Sequence, residues 1–199
     1  MYFSATIFSL VGFDSPTLAS LSVAVTNCVF TIVAILLIDR VGRRRILLYS
    51  LPFMVTGLLF VAISFYMLPQ AATNAEMVSA SSTSSQLALW PLLILVSVVI
   101  YVSSYALGLG NVPWQQSELF PLSVRSLGSG IATSTNWGSN FLVGLTFLPM
   151  MQLLTPSSTF ATYAVICALG WACIWKIYPE TMGLGLEDVG SLLKDGWGV

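Results

Sequence analysis

"VAILLIDRVGRRRILLYSL", residues 33–51, sets two apolar runs on either side of a short segment carrying Arg40, Arg43, Arg44 and Arg45, four of the chain's seven basic residues. The rest of the composition explains why the charges gather there. Of 199 residues, 56% are hydrophobic and 8% charged, and the mean hydropathy is +0.88. That mixture lies well outside the range of soluble domains and indicates a membrane-embedded chain. A helix needs about 20 mostly apolar residues to cross the hydrocarbon core. Five stretches qualify, roughly Thr17–Ile38, Ile46–Leu68, Leu87–Val112, Leu127–Met151 and Phe160–Tyr178. None carries a charge at its middle. The apolar start, residues 1–13, is too short to cross and lacks the basic flank of a signal peptide; it reads as the end of a helix whose beginning lies upstream.

Five spans alternate sides, so the connections at 39–45 and 113–126 and the tail after 178 share one face. The loops near 14–16, 69–86 and 152–159 share the other. Arg40, Arg43, Arg44, Arg45, Arg125, Lys176 and Lys194 all fall on the first face and none on the second. By the positive-inside rule, loops 39–45 and 113–126 and the C-terminus are expected to be cytoplasmic. The division that follows is a truncated helix end at 1–13, a five-helix bundle at 14–178 and a cytoplasmic tail at 179–199. Residues 69–86, rich in Ser and Ala, read as a flexible outer connection. The tail, with apolar residues at 186, 189, 192 and 193, reads equally as a surface-lying amphipathic helix or a solvated terminus.

Catalytic chemistry finds little footing. There is no histidine, hence no Ser/His/Asp or Cys/His arrangement. Cys28, Cys167 and Cys173 lie inside predicted spans with no metal-ligand spacing. Neither Gly108-Leu109-Gly110 nor Gly183-Leu184-Gly185 sits in a strand–helix unit that would make it a dinucleotide fingerprint. No enzyme, metal site or cofactor is expected, and no nucleic-acid partner.

The polar residues inside the spans are more informative. Thr133, Asn136 and Asn140 share one helical face, with Trp137 beside them. A carboxamide in hydrocarbon is costly without a partner. Two readings stand: hydrogen-bonded glue between helices, or the wall of a wet cavity for a hydroxyl-rich solute. Asn27 poses the same choice. Gly108, Gly110 and Pro113 interrupt the third span, either as a bend of the kind transporters place at a site or gate, or as the helix end.

"DRVGRR" at 39–44, "ELFPLSVR" at 118–125, "NWGSN" at 136–140 and "PETMG" at 179–183 together resemble the signature set of the sugar porters of the major facilitator superfamily, in their C-terminal half and in order. The resemblance covers nearly the whole chain. It implies an all-α membrane fold of two six-helix halves, of which this chain supplies five helices and the end of a sixth. "GNVPWQQSELFP" and "LLKDGWGV" are most similar to fungal myo-inositol/proton symporters.

What the resemblance implies for residues is specific. Asn27, twelve positions before Asp39, matches a sugar-contacting asparagine, and Asn136, Trp137 and Asn140 match a cavity-lining cluster. Tyr2 and Phe3 match an aromatic pair that closes the outer gate. Trp114 lies four residues before Glu118, where the family's substrate-facing tryptophan lies five before, so Asn111 or Gln115 joins Trp114 as a candidate contact. Met182 replaces the usual lysine of the last motif. Asp39, Glu118 and Glu180 would pair with Arg40, Arg43, Arg44 and Arg125 as an inner-face latch; the plainer reading of the arginines is topogenic charge alone.

The expectation is thus a polyol or sugar carrier, myo-inositol with proton coupling first. The chain would be half of that carrier, inactive alone, seated in a lipid bilayer, by resemblance the plasma membrane. Its partner would be the missing N-terminal half or a full-length porter. The alternatives are half of a hexose facilitator or hexose/proton symporter, and a non-transporting truncated protein that associates with full-length porters.

Overall fold

The computed structural model of the protein describes residues 6–8, 16–77, 83–115, 120 and 124–178. Among them five long helices appear: α1 (Pro16–Val41), α2 (Arg43–Met77), α3 (Thr83–Leu107), α5 (Arg125–Leu153) and α6 (Pro156–Ile177). A 3₁₀ turn at Leu109–Asn111 leads from α3 into the short helix α4 (Val112–Gln115). Four described helices are long and apolar enough to cross a membrane: Thr17–Ile38, Arg43–Leu68, Trp90–Leu107 and Pro156–Ile177. Helix α5 has the length, with 29 residues, but its Ser, Thr, Asn and Gly content keeps it below that apolarity.

The arginine-rich connection expected at 39–45 contracts to one non-helical residue. Gly42 has φ 96°, a conformation that is strained for residues with a Cβ and costs glycine nothing. Its N–H donates to the Ile38 carbonyl and its carbonyl accepts from Ile46 N–H, both at 3.2 Å. One chain reversal therefore closes α1 and opens α2. The outer connection is also shorter than expected, because α2 runs on to Met77 and α3 begins at Thr83. Ala71, Ala72 and Ala75 favour helix once the apolar run has ended. Pro69 does not stop it.

Packing is set by α2. It lies against α3 so closely that a Cβ at Gly57 would stand 3.0 Å from Tyr101 N and 3.1 Å from its Cα. Against α6 it runs antiparallel in one constant register. Arg44 Nη2 donates to the Trp175 carbonyl at 2.9 Å, Trp171 Nε1 to the Leu48 carbonyl at 3.2 Å, and Ser157 Oγ to the Ala62 carbonyl at 2.7 Å. A core joins four helices through Leu58, Val61, Phe65, Ile94, Phe147, Met151 and Phe160. Phe65 stacks on Phe160 with centroids 5.6 Å apart, and Phe147 meets Phe160 edge-on at 6.1 Å. Lipid tails are as apolar as these side chains, so close packing rather than escape from water holds the helices together. Phe8, Ala19, Val23 and Val102 form a second buried cluster.

Candidate functional site

Helix α5 is held near its two ends and bare between them. Phe147 and Met151, near its C-terminus, are buried in the core. At its start, Arg125 Nε donates to the Phe120 carbonyl at 3.3 Å. Between these points residues 133–143 are exposed around the whole circumference of the helix. Cβ atoms added at Gly130, Gly138 and Gly144 would meet nothing within 4 Å. A polar helix is thereby presented with no cover from the described helices.

The hydroxyl groups in the spans settle their own hydrogen bonding. Thr135 Oγ1 donates to the Ile131 carbonyl at 2.9 Å and Ser139 Oγ to the Thr135 carbonyl at 2.8 Å. Ser64, Ser97, Ser103 and Ser104 do the same elsewhere. This return to the carbonyl four residues back is the cheap way to satisfy a lone hydroxyl in a span. A carboxamide has two donors and an acceptor, so the same bond leaves capacity over. Asn140 Nδ2 donates to the Asn136 carbonyl at 3.0 Å, leaving its second N–H and its Oδ1 for another partner. No described helix reaches it, so Asn140 joins no two of the described helices. Trp137, 62% exposed, stands next to the asparagines.

The other expected contacts are spread over α1 and the end of α3. Asn27 is half-buried on α1, and Thr31 Oγ1 donates to its carbonyl at 2.8 Å and to its Oδ1 at 3.1 Å. Asn111 is buried in the 3₁₀ turn, where its Nδ2 donates to the Ala106 carbonyl at 2.9 Å. It therefore ties off the open end of α3, replacing the hydrogen bonds the helix loses at Gly108. Trp114 and Gln115 belong to α4, but their side chains lie outside the described residues. So do Tyr2, Phe3, Glu118, Glu180, the tail and the side chain of Asp39.

Of the latch cations, Arg40 is exposed, while Arg43, Arg44 and Arg125 are partly buried. Arg44 Nε and Arg125 Nη2 are buried without a hydrogen-bond partner among the described residues. The structure thus brings Asn136, Trp137 and Asn140 together on one bare helix, and Arg40, Arg43 and Arg44 around the Gly42 turn. Sequence reasoning named one face of α5; it missed that Thr135 and Ser139, on other faces, are bare too. Their signal was the density of small polar residues along 129–140.

A family model described as "Sugar (and other) transporter" matches residues 1–193. The chain is 46% identical over 199 residues to Myo-inositol transporter 1 of Cryptococcus neoformans, covering 100% of this chain and 34% of that protein. It is 44% identical over 196 residues to Myo-inositol transporter 2 of Schizosaccharomyces pombe, covering 98% and 33%. To Myo-inositol transporter 1 of Saccharomyces cerevisiae it is 44% identical over 199 residues, covering 100% and 34%. Among solved structures it superposes on the xylose transporter XylE from E. coli, inward open, with TM-score 0.73 and 25% identity over 96% of this chain and 40% of that one. A proton:xylose symporter XylE structure bound to 6-bromo-6-deoxy-D-glucose gives TM-score 0.77 and 26% identity, over 96% and 38%. The chain spans about a third of the length of the curated relatives it matches.

Proposed function

The chain belongs to the sugar transporter family, a family of membrane carriers rather than enzymes, and from that premise we propose that it forms the C-terminal half of a proton-coupled carrier for myo-inositol. The observation that carries this reading is the bare helix α5, with the Asn140 carboxamide only partly used by its own helix. A cyclitol offers a ring of hydroxyls, each donor and acceptor, and an apolar ring face. Asn27, Asn136 and Asn140 would take the hydroxyls, Trp137 the ring face. Trp114, Gln115 and Asn111 would complete that wall, and Tyr2 with Phe3 would close the outer side.

A second half is needed to face α5 across the cavity, and alternating access would come from rocking of the two halves. The arginines around Gly42, with Arg125, would pair with Asp39, Glu118 and Glu180 when the inner side is shut. The buried Arg44 Nε and Arg125 Nη2 are suited to such partners. Individual ion pairs at a wet surface are worth about 0–1 kcal/mol, so the network biases the equilibrium without freezing it. The arginine side is then cytoplasmic, in a plasma-membrane carrier. No span in this chain carries a mid-depth carboxylate, so the proton-carrying group would belong to the other half.

The test is uptake of labelled myo-inositol, glucose and xylose at two external pH values, in cells lacking their own carriers. The cells express either this chain alone or the chain joined to its native upstream region. Inositol uptake by the joined form only, stronger at acid pH, is the expected result. Uptake of hexose or xylose instead would move the substrate assignment, and uptake by the chain alone would refute the two-half cavity.

A further inference from the structure

A concavity lies among α1, α2 and α3, its α1 wall continuing the helical face of Asn27. A groove of about 500 Å³ is lined by Phe30, Leu37, Tyr49, Phe53, Ile100 and Leu107 of α1, α2 and α3. These walls are open to the surroundings, since Tyr49 is 69% and Phe53 63% exposed. All three helices are among the spans apolar enough to cross the membrane, so a groove walled by them suits an acyl chain.

The groove ends at the Gly42 turn, where charge gathers. Along α1 the wall positions 30, 34, 37 and 41 form one face, and Arg40 follows Leu37 by three residues at its edge. Along α2 the wall positions 46, 49, 50 and 53 form the facing side, and Arg45 precedes Tyr49 by four. Neighbours at three and four positions lie on the same side of a helix. Arg44 turns the other way, toward α6. Arg40 and Arg45 are both exposed, and long arginine stems reach the headgroup level while their apolar parts stay along the wall. Arg45 is the member of the arginine run that the latch does not use, whereas Arg40 serves the latch and would turn to a headgroup when the latch is open.

We propose that this groove is a binding site for an anionic phospholipid, with one acyl chain lying between α1 and α2 over α3 and the headgroup phosphate held by Arg40 and Arg45. Charge selects the occupant: a hydrophobic helix of another protein would fill the groove but gain nothing from two arginines at its end. A zwitterionic lipid would use the groove with less of the headgroup attraction.

The experiment is native mass spectrometry of the full chain, purified in mild detergent and exposed to equal amounts of phosphatidylserine and phosphatidylcholine with identical acyl chains. The unaltered chain should retain phosphatidylserine preferentially. The preference should fall about fivefold for each arginine removed, in Arg45→Gln and then in the Arg40→Gln/Arg45→Gln pair. Ser103→Phe, which fills the groove from α3, should lower retention of both lipids, with helical content by circular dichroism unchanged. A phosphatidylserine preference that survives the double substitution would overturn the headgroup assignment. Undiminished retention in a well-folded Ser103→Phe chain would place the lipid elsewhere, and retention of neither lipid by the unaltered chain would dismiss the site.

Discussion

Arg44 Nη2 reaches from the first turn of α2 to the backbone carbonyl of Trp175 on α6, 2.9 Å away. Trp175 sits in the last turn of α6, whose terminal carbonyls lack intrahelical partners and carry partial negative charge. The guanidinium thus caps one helix with a side chain from another, at the membrane edge where water competes. Arg44→Gln should lower the stability of the purified protein by about 1 kcal/mol, read as a shift of its thermal midpoint in detergent. Arg44→Lys should recover part of it, because the charge returns without the planar fork. Equal midpoints for the glutamine variant and the parent would remove the cap from the account.

Two glycines separate packing from exposure. A Cβ at Gly57 would meet the Tyr101 backbone nitrogen at 3.0 Å, and neither α2 nor α3 can yield there without moving as a whole. At Gly138 a Cβ meets nothing within 4 Å. Gly57→Ala should therefore destabilise by about 1–3 kcal/mol. Gly138→Ala should leave stability unchanged or slightly raised, as alanine is the better helix former. Thermal unfolding monitored by size-exclusion chromatography ranks the two. The reverse order would mean that the α2–α3 contact is looser than described.

Gly42 carries the turn between the first two spans at φ 96°. Any side chain there is strained, so Gly42→Ala should cost about 1–2 kcal/mol. Asn, which tolerates positive φ better than other residues, should cost less than alanine. A thermal midpoint for Gly42→Ala equal to that of the parent would show that the reversal is made in another way.

The sequence made these helices legible for a plain reason: about 20 apolar residues leave a strong trace, and arginine counts order the faces. Helix α5 was read by the same criterion, as Leu127–Met151, although its Ser, Thr, Asn and Gly leave it less apolar than the other four. What stayed hidden depended on tertiary contacts or on backbone detail. Nothing in the spacing of Trp171, Trp175 or Ser157 shows that they fasten α6 to α2. The helical extension to Met77 ran against the polar composition of residues 69–77, whose alanines suit helix as well as loop. Asn111 shows the limit most clearly. By type it is a contact for a polyol, but in place its amide donors turn back onto the carbonyls of Ala106 and Leu107.

Asn140 offers the sharpest test of the cavity. Its Nδ2 is held by the Asn136 carbonyl, which fixes the carboxamide while its Oδ1 and second N–H stay open to a ligand. Asn140→Ala deletes those groups without creating a void in any described contact, because the residue is exposed. In the complete carrier, with surface expression normal, inositol uptake at low substrate concentration should fall about 5- to 100-fold, the worth of one or two hydrogen bonds to a bound hydroxyl. Asn140→Ser keeps one donor and acceptor on a shorter arm, but a serine here would bond back to Asn136, as Ser139 does to Thr135. It should therefore fail nearly as badly as alanine, whereas Asn140→Gln should retain part of the uptake. Unchanged uptake in the alanine variant would return Asn140 to packing against a helix of the other half, and the site would have to be built from Asn27 and α3 instead.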